Sequence, residues 1–202
     1  MSEIEIIAHR VNCLEGLKTL FEAGIKSFEL DVFGSSAFGV AVGYPKHANM
    51  DGYKPESLES ILTWVGSEKE IKLYLDIKYP DYWRTSIEIL FGRLLSFDRE
   101  RLILISYDLQ FFKALAENFC FRTGLIVDEP TGFWSGLVLI PLSIVTGLNV
   151  KQRQIKNIIA TRVNTRMDFK VAKELSCLGI MTDKPIELLN YELGGEANGC
   201  WQ

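Results

Sequence analysis

Apolar residues fall along the chain in two alternating rhythms. Short runs rich in Ile, Val, Leu and Phe predict strands at Glu5 to His9, Ser27 to Val32, Gly39 to Val42, Lys72 to Ile77, Arg101 to Ser106, Thr123 to Val127, Leu137 to Ile140, Ile158 to Arg162 and Gly179 to Thr182. Between them, apolar residues recur at helical spacing. Leu14, Leu17, Leu20 and Phe21 form one stripe, and Leu58, Ile61, Leu62 and Val65 form another behind Pro55, a favoured first-turn residue. Ile87, Leu90, Phe91 and Leu94 mark a third, and Leu109, Phe112, Leu115 and Ala116 a fourth with Asp108 as its cap. Ala172, Leu175 and Cys177 lead to a stop at Gly179. This β, α, β, α order is the signature of a parallel sheet covered by helices. Nine strands are one more than an eight-stranded barrel holds, and the Gly39 and Leu137 segments are the weakest. An open doubly wound sheet fits the same order, but no Gly-rich phosphate loop follows the first strand. The expected fold is α/β, a small (β/α)8 TIM-type barrel near the lower length limit for that architecture.

Composition narrows the picture. With 202 residues, 48% of them hydrophobic, the chain is expected to form one domain over 1–190, followed by a polar, glycine-bearing tail at 191–202. A net charge of -4 without a basic block offers no electrostatic footprint for nucleic acid. Cys13, Cys120, Cys177 and Cys200 are far apart with no C-x-x-C pair, so reduced thiols are expected rather than a disulfide framework or a zinc site. No apolar run approaches the roughly 20 residues that span a bilayer, and "MSEIEIIAHR" is acidic where a signal peptide is basic. No transmembrane segment and a cytoplasmic location are therefore expected, and no feature of the sequence sets an oligomeric state.

Candidate chemistry lies at the strand ends. Alternate residues of a strand share a face, so Glu29 and Asp31 in "FELDV" project together, as do Asp76 and Lys78 in "LYLDIK". His9 and Arg10 end the first strand in the same way. Parallel barrels keep their chemistry at the C-terminal strand ends. Singly, each of these residues reads as a rim residue or half of an ion pair; together they make a set that the rim reading explains poorly. Clustered carboxylates persist only with cations or a metal nearby. Glu29, Asp31 and Asp76 form an oxygen-rich group suited to Mg²⁺ or Ca²⁺, and Arg10 and Lys78 beside it leave a place for a phosphate.

At these residues the chain resembles the glycerophosphodiester phosphodiesterases, whose barrel also includes the spider sphingomyelinase D toxins. "IIAHRVN" is similar to the family's opening His-Arg motif, "FELDV" to its Glu-x-Asp, and "LYLDIK" to its acidic-x-Lys strand. "RLILISYDLQFFKAL" resembles its Ser-Phe-Asp segment, "IIATRVNT" its Trp-Thr-Val-Asn segment and "LGIMTDKPIELL" its Thr-Asp-x-Pro segment. The matches run in order from Ile6 to Leu189. The resemblance implies a metal-dependent phosphodiester hydrolase acting on a small or lipid-derived phosphodiester. Glu29, Asp31 and Asp76 would bind the divalent metal, Arg10 and Lys78 would hold the phosphate, and His9 would be one of two acid/base histidines.

The second histidine is missing from its usual place. The family's His-Asp pair would fall between Gly43 and Pro45, in "GVAVGYP", and this chain has no histidine there. His47 and Tyr44 are the candidate replacements; an exposed loop histidine and a packed or surface tyrosine are the plain alternatives. One positioned acid or base contributes typically about 10²- to 10⁴-fold. Its loss would slow the reaction without abolishing metal or phosphate binding, so the alternative is a weakened or inactive member that binds a phosphorylated ligand or partner. Thr161 stands in place of the family's Trp and reads as core, whereas Arg162 after it reads as a rim ion pair or an added cation at the mouth. Phe111, Phe112, Phe119 and Phe121 are expected in the core, and Trp83, Trp134 and Trp201 are candidate groove residues or isolated exposed aromatics. The loop "GFWSG" from Gly132 carries no motif that specifies a substrate.

Overall fold

The computed structural model describes residues 4–35, 39–44, 54–78, 92, 94, 97–108, 121–128, 136–147 and 157–194. Their strands are β1 (Glu5–Ala8), β2 (Ser27–Ser35), β3 (Gly39–Val42), β4 (Glu56–Ser57), β5 (Lys72–Ile77), β6 (Leu102–Ser106), β7 (Arg122–Ile126), β8 (Leu137–Pro141), β9 (Ile158–Thr161) and β10 (Gly179–Thr182). The helices are α1 (Leu14–Glu22), α2 (Leu58–Ser67), α3 (Leu142–Gly147), α4 (Arg166–Glu174) and α5 (Pro185–Glu192). Of the stripe expected at Ile87, Leu90, Phe91 and Leu94, only Leu94 is described, helical and buried; the rest of it and the stripe from Leu109 to Ala116 lie outside the described residues, as do Phe111, Phe112, Phe119, Trp83, Trp134, Trp201, Cys120 and Cys200.

Eight parallel strands run in the order β1-β10-β9-β8-β7-β6-β5-β2, and β2 pairs back onto β1 to close the barrel. The chain therefore forms a closed (β/α)8 TIM-type barrel. The surplus ninth strand is β3. It pairs antiparallel with β2 outside the barrel, Val32 opposite Val42, and extends to the short β4. The Leu137 segment, weak by sequence, is a full barrel strand between β7 and β9.

Strand alternation divides the apolar residues into two layers. Ile7, Tyr74, Ile103, Ile105, Leu139, Ile159 and Met181 fill the barrel interior. Residues of opposite parity, such as Ala8, Phe28, Leu30, Leu73, Leu75, Leu104 and Ile180, pack outward under the helices. Gly124 keeps the interior open: a Cβ there would lie 2.8 Å from Leu139 Cδ1 and 3.1 Å from Ile105 Cγ2.

Two helix boundaries differ from expectation. Pro55 precedes α2 by three positions, because Glu56 and Ser57 are drawn into the ladder with β3 and Ser57 becomes the residue before the first turn. Gly179 does not stop a helix. α4 ends at Glu174, Ser176 takes the left-handed conformation at φ 57°, and Gly179 opens β10. There the strands approach closely, since a Cβ on Gly179 would meet Glu5 O at 3.1 Å. α5 continues into the segment expected as tail: Tyr191 stacks edge-on against Phe169, and Glu192 accepts from Lys173 Nζ at 2.7 Å.

Candidate active site

The interior parity that buries Ile7, Tyr74 and Met181 carries on past the apolar layer and delivers polar side chains to the C-terminal mouth. Two residues beyond Ile7 is His9, two beyond Tyr74 is Asp76, and two beyond Met181 is Asp183. On β2 the same face carries Glu29 and Asp31, and parallel pairing sets Asp31 directly beside Asp76.

Glu29, Asp31 and Asp76 are almost fully buried, and one carboxylate oxygen from each lies within 4.8 Å of the others. Their partners are few. Glu29 Oε2 accepts from the Arg10 backbone N–H at 2.7 Å, and Arg10 reaches this position in the left-handed conformation at φ 55°. Asn12 clamps Asp31 twice, donating from Nδ2 to Oδ2 at 2.9 Å and accepting the Asp31 N–H at Oδ1, also at 2.9 Å. Lys78 Nζ lies 2.5 Å from Asp76 Oδ2 and 2.9 Å from Asp31 Oδ1. Asp76 Oδ1 is buried with no hydrogen-bond donor among the described residues.

This charge balance shifts proton affinities. Burial, followed by the charges of Asp31 and Asp76, pushes the Glu29 carboxyl well up. Burial also pushes Asp76 up to about 6, against the opposing pull of Lys78. Lys78 is desolvated, yet Asp76 and Asp31 outweigh that and hold its ammonium above its ordinary range. The donor set fits a hard divalent cation: three desolvated carboxylates offering only oxygen ligands, with Asp76 Oδ1 lacking a hydrogen-bond donor among the described residues.

His9 is held from the neighbouring strand, β10. Its Nδ1 lies 2.7 Å from Asp183 Oδ1, and its Nε2 lies 3.9 Å from Glu29 Oε2. Asp183 is itself fixed by Asn164, which donates from Nδ2 to Oδ2 at 2.9 Å and accepts the Asp183 N–H at 2.9 Å. Thr182 Oγ1 donates to the same Asn164 oxygen at 3.0 Å. Desolvation would raise the Asp183 carboxyl, but the bonds from His9 and Asn164 prevail and lower it. Desolvation lowers the His9 imidazole despite Asp183. An ionised carboxylate only accepts, so the neutral ring carries its proton on Nδ1 and keeps the Nε2 lone pair for the pocket.

His9, Arg10, Glu29, Asp76 and Lys78 line an open cavity whose far wall includes Tyr107, Asp128, Thr161 and Arg162. The structure thus brings His9, Arg10, Glu29, Asp31, Asp76 and Lys78 together. Sequence reasoning missed Asn12, Asn164 and Asp183 as supports, and Tyr107 and Asp128 as wall residues. Tyr107 and Asp128 follow the inward positions Ile105 and Ile126 by two residues, so the parity that found Asp76 could have found them. Thr161 is part of the pocket wall rather than core, and Arg162 makes no ion pair among the described residues. Tyr44 lies beside Lys78, whose Nζ sits 5.8 Å from the ring centre; His47 lies outside the described residues.

No family model matches the chain, and no curated protein matches it. Solved structures do. A glycerophosphodiester phosphodiesterase from Parabacteroides distasonis superposes with a TM-score of 0.75 at 14% identity, over 95% of this chain and 98% of that one. The chain has the fold of the glycerophosphodiester phosphodiesterases. A Thermotoga maritima glycerophosphodiester phosphodiesterase gives 0.68 at 14% identity, over 95% and 99% of the two chains. An Oleispira antarctica phosphodiesterase, solved with the product sn-glycerol-3-phosphate, gives 0.71 at 15% identity, over 92% and 95%. Among the described residues, no helix is long and apolar enough to cross a membrane.

Proposed function

We propose that this protein belongs to the glycerophosphodiester phosphodiesterases and hydrolyses a small or lipid-derived phosphodiester to release an alcohol, with a divalent cation, Mg²⁺ or Ca²⁺, as cofactor. The observation that carries the reading is the buried triad of Glu29, Asp31 and Asp76 beside a His9–Asp183 pair, with His9 Nε2 3.9 Å from Glu29 Oε2 at one cavity. The likeness to phosphodiesterase structures, one of them holding sn-glycerol-3-phosphate, supports it.

In this reading Glu29, Asp31 and Asp76 hold the ion, which supplies electrostatic stabilisation of charge developing on the phosphoryl oxygens. Arg10, its side chain 59% exposed, offers the phosphate a guanidinium at the mouth. Lys78 sets the charge of the carboxylates it bridges and adds a cation on the phosphate side. His9 Nε2 takes the proton from the attacking hydroxyl, and Asp183 steadies the imidazolium that forms. The departing oxygen needs a separate proton donor, and Tyr44 beside Lys78 is the described candidate.

The test is direct. Purified protein with Mg²⁺ or Ca²⁺ is offered a broad panel of glycerophosphodiesters, and released glycerol phosphate and alcohol are measured. Turnover that His9→Ala lowers supports the reading. If the panel is untouched and His9→Ala changes nothing, the hydrolase reading fails; metal binding that survives in calorimetry would then mark a binding protein.

A further inference from the structure

The cavity has a second charged wall that the phosphodiester chemistry does not use. In an eight-strand barrel each strand faces the one four places on, so the order β1-β10-β9-β8-β7-β6-β5-β2 sets β8 across from β2, β9 across from β5, and β7 across from β1. Glu29, Asp31, Asp76, Lys78 and Arg10 all belong to the β1, β2 and β5 side. Asp128 follows β7 and Arg162 follows β9, so both sit across the mouth on either side of β8, whose Pro141 lines the same cavity.

These two charges have opposite sign, and among the described residues neither has an ion pair or a side-chain hydrogen bond. Asp128 lies on the inward parity of β7, two residues after Ile126. Arg162 breaks parity. Strand alternation would turn the residue after inward Thr161 outward, but a φ of 63° redirects the chain and Arg162 lines the cavity instead. A non-glycine residue in that conformation costs about 1 kcal/mol, and such strain gathers at binding sites. Tyr107 closes the wall on the β6 side, its hydroxyl pushed up by burial and then by the Asp128 charge.

We infer that Asp128 and Arg162 form a dipolar subsite for the alcohol portion of the substrate, and that it fits an alcohol carrying both an ammonium and a carboxylate. This rests on the diesterase reading above. With phosphorus held on the β1–β2–β5 side, the ester arm crosses the mouth toward β8. Asp128 meets the ammonium, and the Arg162 fork meets the carboxylate. A glycerol or sugar alcohol would leave both charges facing water without gain.

The experiment compares glycerophosphoserine, glycerophosphoethanolamine and glycerophosphoglycerol as substrates for the Mg²⁺-loaded protein, read as kcat/KM. The serine diester is expected to lead by roughly tenfold or more, the size of one charge-assisted hydrogen bond at a wet rim. Asp128→Asn should lower the serine and ethanolamine diesters by roughly tenfold more than the glycerol diester, and Arg162→Gln should lower the serine diester by roughly tenfold more than the other two. The acylated serine lysolipid in detergent micelles tells a lipid source from a water-soluble one; turnover of either with this ranking supports the inference. Equal kcat/KM across the three wild-type substrates overturns it, as does a uniform fall in either variant. If no diester is hydrolysed, the function proposed above fails on its own account, and calorimetric titration of the same three diesters decides here: serine selectivity that Asp128→Asn abolishes supports the subsite, and equal or absent binding overturns it.

Discussion

Replacing Asp76 by Asn should stabilise the metal-free protein and remove its response to metal. Asp76 is 5% exposed, and its carboxyl moves from an ordinary 3.8 up to about 6, with burial as the main cause and Lys78 opposing. Each pH unit corresponds to ~1.4 kcal/mol, so at neutral pH the ionised group costs the fold roughly 3 kcal/mol relative to an uncharged one. The sign follows from proton binding. Between 3.8 and about 6 the folded carboxyl keeps a proton that the unfolded chain has released, so this group's contribution falls as pH rises through that interval and stays low above it. Asn has the same shape without the charge, but its amide can point a donor at Lys78 Nζ, which takes back part of the gain. A net increase of about 1 to 3 kcal/mol is expected in EDTA. In the wild type a bound cation offsets the same cost of a buried charge, adding about 2.7 kcal/mol at a hundredfold excess over Kd. Urea unfolding of both proteins at neutral pH, in EDTA and in saturating Mg²⁺, measures all four stabilities. Asp76→Asn equal to or weaker than wild type in EDTA, or gaining as much from Mg²⁺, would refute the account of a repulsive, metal-ready triad.

Three further outcomes follow from the same geometry. Asp183→Asn removes the negative charge beside His9 Nδ1 and turns one of the two oxygens that meet His9 and Asn164 into a donor, and should lower kcat on the best diester by about 10- to 100-fold while moving KM little, as steady-state kinetics will show. Gly124→Val pushes a branched side chain against Leu139 Cδ1, Ile105 Cγ2 and Leu137 Cδ2 inside the barrel, and should cost about 1 to 3 kcal/mol in urea unfolding. Cys177 is buried, with its thiol pushed up to about 11, whereas Cys13 is exposed; iodoacetamide in mildly alkaline buffer should label Cys13 long before Cys177, as peptide mass spectrometry reports.

What could be read from the sequence divides along a physical line. Strand periodicity is local, so Glu29 with Asp31 and Asp76 with Lys78 could be assigned to shared faces from spacing two alone, and the barrel then brought the faces together. What spacing could not supply is where the chain leaves its period. By sequence β3 is as weak as the Leu137 segment, which is a barrel strand, and only its antiparallel pairing with β2 removes it from the barrel. Arg10 and Arg162 each follow a strand and each takes a positive φ, which turns a side chain toward the mouth that alternation would send elsewhere. Long-range supports were equally hidden. Asn164 and Asp183 are 19 positions apart, and their mutual clamp exists only because β9 and β10 are neighbours in the sheet. His9 draws on that clamp from 174 positions away, through the β1–β10 pairing that places Ala8 beside Thr182. The carboxylate triad is thus set by strand period, and the His9–Asp183 pair by barrel closure. A change that loosens β1 against β10 should therefore impair His9 before it disturbs the carboxylate triad.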